Sequence, residues 1–438
     1  MRIAGIVAEY NPFHRGHLYL MEQVRQELGP DTPIVVIMSG DFVQRGEPAL
    51  VDRAARTSAV LQCGADLVLE LPFTFATGSA DRFAAGAIGS LVSTGIVTDL
   101  FFGAEHDSLS DLSAIAGMEP ESSPSFLEKL SALQKDGASY ASAWEQATID
   151  FLQEAGEEYS DLKEKLIPIL REPNNTLAIA YLRELRRQSA SITPHLVHRV
   201  DHYHDDTLKN DSLPSATAIR KTVLSSFYTG DRGAFLASLS NLESFVPAPM
   251  LAEMLHLWST NTRPMDARLL IEEAFPVLRA QSVSVLSQTA HMGEKLASHL
   301  KSRVSAMHFD PSIPFEDVFI QQVHTKCFPH ARIMRAISSL VVGQTEEDLQ
   351  KLESPLYLRL LGFSERGRLQ LKNMRQSASL PILSRTSDAL HHQKNKAFDR
   401  MNRLDLISHD WWTWHARRTF EEDYHFEVIQ YKRNKIYR

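Results

Sequence analysis

Short apolar runs separated by helical segments constrain this chain before anything else does. RIAGIVAEY, PIVVIMSG, ADLVLELPF and TDLFFGAE are strand-like, and HLVHRV resumes the pattern further on. Between the first four lie HLYLMEQVRQEL, DRAARTSAVLQCG and SADRFAAGAIGSLVSTG, which carry apolar residues at helical spacing. Such alternation is the signature of βαβ units, whose parallel strands are covered on both faces. The expected fold class is therefore α/β, with a Rossmann-like parallel sheet. From Ser108 to Ile169 the pattern turns helical and polar, as an insertion would. EPNNTLAIAYLRELRRQ begins a helix with proline and asparagines, and LPSATAIRKTVLSSF is a capped helix start. Beyond Gly230 the chain reads as almost all helical, with breaks near FVPAP, NTRP and DPSIP. The expected plan is an α/β domain over 1–228 with the insertion at about 108–169. A helical region over 229–320 and a C-terminal region over 321–438 follow.

A chain of 438 residues exceeds one ordinary core, which fits that division. Its 43% apolar and 23% charged residues are those of a globular protein and exclude intrinsic disorder. No apolar run reaches the roughly 18 residues a membrane helix needs, so no membrane partner is expected. Cys63 and Cys327, far apart in the chain, are read as reduced thiols in a cytoplasm, and no metal site is expected. The net charge of −8 is uneven: residues 321–438 hold 20 Lys and Arg against 13 Asp and Glu, a balance of +7 on a body at −15. A basic end on an acidic body fits a polyanionic partner, and on charge alone it fits an ordinary solvated surface equally well.

The first strand leads into NPFHRGH. His14 and His17, three apart, share one face of the first turn of a helix, whose N-terminus offers free N–H groups and a positive dipole end. Gly16 removes a side chain where a ligand approaches the backbone. Two imidazoles beside a phosphate can stabilise the charge that develops when an α-phosphate is attacked. At the first crossover of a parallel sheet, this outweighs the reading of two surface histidines. SATAIRK repeats the theme, with Ser215 and Thr217 at a helix start and Arg220 one turn in. A plain N-cap is its simpler reading.

The HxGH turn resembles the signature of nucleotidyltransferases. EYNPFHRGH, MSGDFVQRGEPA, ADLVLELPF, FFGAE, EPNNTLAIAYL and SATAIRK together resemble the bacterial tRNA(Met) cytidine acetate ligases. The likeness continues more loosely through HTKCFPHARIMRAI and SPLYLRLLGFSERGR. It implies an enzyme that uses ATP, with Mg²⁺ on its phosphates, to convert acetate into acetyl-adenylate. The acetyl group then passes to the wobble cytidine of elongator tRNA(Met), giving N4-acetylcytidine. By the same resemblance, His14 and His17 are catalytic. ATP contacts fall on Val7, Ala8, Glu9, Tyr10, Asn11, Pro12, Phe13, His14, Arg15, Gly16, His17, Leu18, Tyr19 and Leu20. Further ATP contacts fall on Gly103, Asn174, Arg199, Val200, Ser215, Thr217 and Arg220.

Each of these has a plainer alternative: Gly103 as a turn glycine, Asn174 as a helix cap, Arg199 as a partner of Asp201. Ser39, Asp41, Gln44 and Arg45 follow the second strand and either position acetate or cytosine or form a structured loop before the next helix. No catalytic role falls on Asp41. Lys326, Arg332 and Arg335 are candidate tRNA phosphate contacts or a solvated helix face. The WWTWH tail could stack on bases, and packing is the favoured reading. Two other functions fit the motifs: an adenylyltransferase acting on a small phosphomonoester, and a nucleotide-dependent tRNA-binding protein without catalysis. The long helical, basic C-terminal half counts against the first, and the intact His14, Gly16, His17, Thr217 and Arg220 against the second.

Overall fold

The computed structural model describes residues 1–118, 123–135, 140–154, 166, 168–199, 215–260, 262–310, 312–420, 423, 426–432 and 435–437. The expected strands form the centre of the molecule. β1 (Ala4–Ala8), β2 (Ile34–Ser39), β3 (Leu67–Leu71), β4 (Asp99–Ala104) and β5 (Thr193–His198) lie parallel in the order β5-β4-β1-β2-β3. Chain order reverses at β1, between β2 on one side and β4 on the other. That switch point opens a crevice at the strand carboxyl ends.

Every residue of β2 is buried, because both faces are covered. Val35 and Ile37 join one core with Leu67 and Leu69, while Ile34 and Val36 join the other with Ile6 and Val68. Each such aliphatic side chain contributes about 1.5–3 kcal/mol on burial. α1 (Arg15–Leu28) offers Met21 and Val24 to the second core, and α2 (Arg53–Gln62) offers Ala55 and Ala59. α3 (Ala80–Ser93) and α4 (Pro173–Arg187) cover the opposite face. α5 (Ala216–Phe227) adds Ile219 and Val223 beside α1 and α2. Helices at Leu109–Gly117, Pro124–Lys135 and Tyr140–Glu154 occupy the inserted stretch.

The C-terminal half corrects one expectation. Helices dominate it, including α6 (His330–Val342) and α7 (Lys396–Arg417), yet among the described residues it also supplies four strands. β6 (Leu358–Ser364) pairs antiparallel with β3, β7 (Ile382–Leu383) and β8 (Ile429–Lys432) pair with β6, and β9 (Lys435–Tyr437) closes the edge. LRLLGFS is a short apolar run, and periodicity does not separate a buried strand from a helix at that length. Buried ion pairs fasten this half to the sheet. Arg53 Nη1 donates to both Glu70 oxygens at 2.8 and 2.9 Å, and Asp423 accepts from Arg53 and from Arg359 Nη1. Removing one member of such a group strands the others and costs about 3–5 kcal/mol. Among the described residues, no helix is long and apolar enough to cross a membrane.

Candidate active site

The turn after β1 is shaped by its own histidines. Tyr10 sits in the left-handed region (φ 51°), so the chain leaves the strand sharply. His14 is the N-cap of α1, and its Nδ1 accepts the Gly16 N–H at 3.1 Å. His17 Nδ1 in turn accepts the His14 N–H at 3.2 Å. This is a reciprocal cap built from two imidazoles in place of the usual Ser and Glu. With both Nδ1 atoms accepting, the neutral rings carry their protons on Nε2. The ring centroids lie 3.8 Å apart, and Tyr10 and Phe13 flank His17 at 4.8 and 5.8 Å.

Burial lowers the pKa of His14 to about 3, helped by Arg199 and Arg220. His17 falls well below its ordinary value through burial, His14 and Arg199. Both rings are therefore neutral Nε2–H donors at pH 7, faced by two guanidinium groups. Gly16 serves this pair directly: a Cβ there would meet His14 Cε1 at 3.0 Å and Nδ1 at 3.1 Å.

The distant motifs converge here. Arg220 Nη1 donates to the Asn11 carbonyl at 2.9 Å, and its Nη2 reaches Thr217 Oγ1 at 3.3 Å. α5 is thus tied to the histidine turn. Ser215 Oγ accepts the Ala218 N–H at 3.0 Å, so its cap role is real. Gly103, at the end of β4, lets the Arg199 stem lie flat: a Cβ would meet Arg199 Cγ and Cδ at 3.1 Å. The Arg199 N–H donates to the Ala104 carbonyl at 2.9 Å, and its guanidinium acts electrostatically on both histidines. Val200 and Asp201 lie outside the described residues.

The other expected contacts have partners of their own. Asn174 is not the cap of α4, because Glu172 holds that position; the Asn174 amide donates to Glu105 instead. Glu105 also accepts the Asn175 N–H at 3.0 Å, and Asn175 Oδ1 accepts from the His106 N–H at 2.9 Å. Sequence reasoning missed Glu105, although it completes FFGAE. Arg15 bonds the Phe245 and Glu243 carbonyls, Leu18 and Leu20 pack on the core, and Tyr19 is exposed. Val7 and Ala8 end β1 half-buried, and Asn11 Oδ1, just before Pro12, accepts the Leu50 N–H at 2.8 Å.

The SGDFVQRGEPA loop borders this site and is held by the C-terminal half. Asp41 is buried against His409 Nδ1 at 2.6 Å and accepts the Arg53 N–H at 3.1 Å, a structural role. Trp412, fully buried, donates from Nε1 to the Ala49 carbonyl at 2.8 Å, and Trp411 is buried beside Phe42. Trp414 stacks on Phe420 at 4.4 Å. The tail is packed, as favoured. Gly46 (φ 82°) lies against the backbone of Met334 and Arg335 in α6. Beside it, Arg332 stands over Phe328 at 5.5 Å, Arg335 is half-buried with an unpartnered Nε, and Lys326 is exposed. Ser39 is fully buried, while Gln44 donates its N–H to Glu9 at 2.7 Å.

A neutral histidine pair and two arginines at the carboxyl end of β1, in a parallel sheet with its switch point there, define a nucleotidyltransferase of the HxGH type. A family model described as HIGH Nucleotidyl Transferase matches residues 1–424. The chain is 33% identical over 399 residues to the tRNA(Met) cytidine acetate ligase of Acetivibrio thermocellus, covering 89% of each. It is 34% identical over 420 residues to the enzyme of the same name from Syntrophomonas wolfei, covering 94% of each. The crystal structure of Thermotoga maritima TmcAL bound with alpha-thio ATP superposes with a TM-score of 0.86 at 26% identity, over 99% of this chain and 100% of that one. The chain belongs to the tRNA(Met) cytidine acetate ligase family of HIGH nucleotidyl transferases.

Proposed function

We propose that this protein activates acetate with ATP as acetyl-adenylate and transfers the acetyl group to N4 of the wobble cytidine of elongator tRNA(Met). The reciprocal histidine cap carries this reading. It leaves two Nε2–H donors that need no reorganisation when charge builds on an α-phosphate oxygen. An acetate oxygen attacks the α-phosphorus, the bond to the β-phosphate oxygen breaks, and pyrophosphate leaves. Arg220, Thr217 and Ser215 receive the leaving group, with Arg199 across the crevice. The donors facing the site are N–H and O–H groups, and among the described residues no three His, Cys, Asp or Glu form a metal-sized cluster. Mg²⁺ would therefore be held by the phosphate oxygens of the nucleotide, where it neutralises charge. Orientation of the acceptor amine against the acyl carbon is where transfer to a weak nucleophile gains most.

Residues 1–228 bind ATP in this reading, 229–320 link, and 321–438 meet tRNA. Lys326, Arg332 and Arg335 are the phosphate contacts, a reading supported by the packing of Gly46, in the SGDFVQRGEPA loop, on the Met334 and Arg335 backbone. In this reading the enzyme works in the cytoplasm. The test is ATP–pyrophosphate exchange. Exchange that requires acetate supports acetyl-adenylate formation; exchange that requires a phosphomonoester, or none at all, refutes it.

A further inference from the structure

Adenylation draws on N–H and O–H donors and gives the Glu9 carboxylate no task. Glu9 is the first residue beyond β1, five positions before His14. Its Oε1 accepts the Gln44 N–H at 2.7 Å, and its carbonyl accepts Arg56 Nη1 at 2.7 Å, so side chain and backbone are both fixed. Its Oε2 has no hydrogen-bond partner among the described residues. Arg220, which donates to the Asn11 carbonyl two residues beyond Glu9, acts electrostatically on both the Glu9 carboxylate and His14. Just past the end of β1, a carboxylate repels nucleotide phosphates, so the ATP contact expected at Glu9 would fall on atoms other than its side-chain oxygens. Its chemistry suits the other reactant, because carboxylates accept from the exocyclic amine of cytosine.

Resting on the acetyl-adenylate reading, we propose that Glu9 receives the acceptor amine: Oε2 accepts a hydrogen bond from N4–H of the target cytosine and takes the proton that N4 loses on acetylation. The N4 lone pair forms the new bond to the acetyl carbonyl carbon. The bond from that carbon to the AMP oxygen breaks, and its electron pair leaves on AMP. The N4 proton passes to Glu9 and then to water. The SGDFVQRGEPA loop gains a purpose from this, since Gln44 aims the carboxylate while Asp41 and the Ala49 carbonyl anchor the loop to His409 and Trp412. Burial raises the Glu9 carboxyl, against the Gln44 N–H, Arg220 and Arg45, and Glu47 adds to the rise. Arg56 and Tyr181 also interact with it electrostatically. A raised carboxyl is the stronger base.

The experiment separates the half-reactions in Glu9→Gln, which keeps an oxygen for the Gln44 N–H, and in Glu9→Asp. Acetate-dependent ATP–pyrophosphate exchange reads the first step. Single-turnover transfer from preformed acetyl-adenylate to unmodified tRNA(Met) reads the second. Transfer in Glu9→Gln falls about tenfold or more beyond any fall in exchange. Glu9→Asp recovers part of the loss, and the acid limb of the wild-type transfer rate is absent from Glu9→Gln. Equal loss of both steps, or loss of neither, overturns the proposal. A wild-type protein without acetate-dependent exchange is a separate result: it removes the acetyl-adenylate reading, and this proposal falls with it.

Discussion

His17 does two jobs that different substitutions separate. Its Nδ1 closes the reciprocal cap on the His14 N–H at 3.2 Å, and its Nε2–H is the donor assigned to the α-phosphate. In His17→Ala both are removed. The uncapped amide costs about 1 kcal/mol of stability. Losing one preorganised donor costs about 10²–10³ in rate, or 2.7–4 kcal/mol of transition-state stabilisation. His17→Glu restores an acceptor for the cap, glutamate being the ordinary partner at that position, but offers no donor. Denaturant unfolding should therefore show Ala destabilised by about 1 kcal/mol and Glu close to wild type. Acetate-dependent exchange should collapse in both. Wild-type exchange in folded His17→Ala, or activity that follows stability across the two variants, would refute the reasoning.

Three further outcomes rest on particular side chains. Gly46→Ala places a Cβ 2.4 Å from the Arg335 N at a φ of 82°, so it should lower stability by on the order of 2 kcal/mol or more, read by denaturant unfolding. Glu316 is raised to about 7 by burial and by Asp266, Glu47 and Asp317. Its contribution is fully present below the ordinary carboxylate pKa and is lost as pH rises through about 7. Glu316→Gln should therefore gain stability relative to wild type as pH rises from about 5 to 8, and a pH-independent difference would contradict this. Replacing Arg332 and Arg335 with glutamine should flatten the dependence of log tRNA(Met) affinity on log salt, by about 0.7–0.9 for each phosphate no longer neutralised. An unchanged slope would remove them from the tRNA surface.

The parallel sheet was legible because its strands are short, apolar and separated by helices with their own caps, such as Asp52 accepting the Ala55 N–H. The histidine pair was legible because its spacing puts both rings on one turn. The reason for Gly16 was not, since the demand comes from the His14 ring itself. Nor was β6 legible, because its identity as a strand depends on β3, nearly 300 residues earlier in the chain. Glu105, Asp41 and Glu9 share that difficulty. Each is an isolated acid in sequence, and its role comes from a partner (Asn174, His409 or Gln44) that only the fold supplies.

The most direct test incubates the protein with ATP, Mg²⁺, labelled acetate and unmodified tRNA(Met), then digests the tRNA to nucleosides. The account predicts label in N4-acetylcytidine that vanishes when ATP or tRNA is omitted. Transfer of AMP to another acceptor, with no label in cytidine, would contradict it.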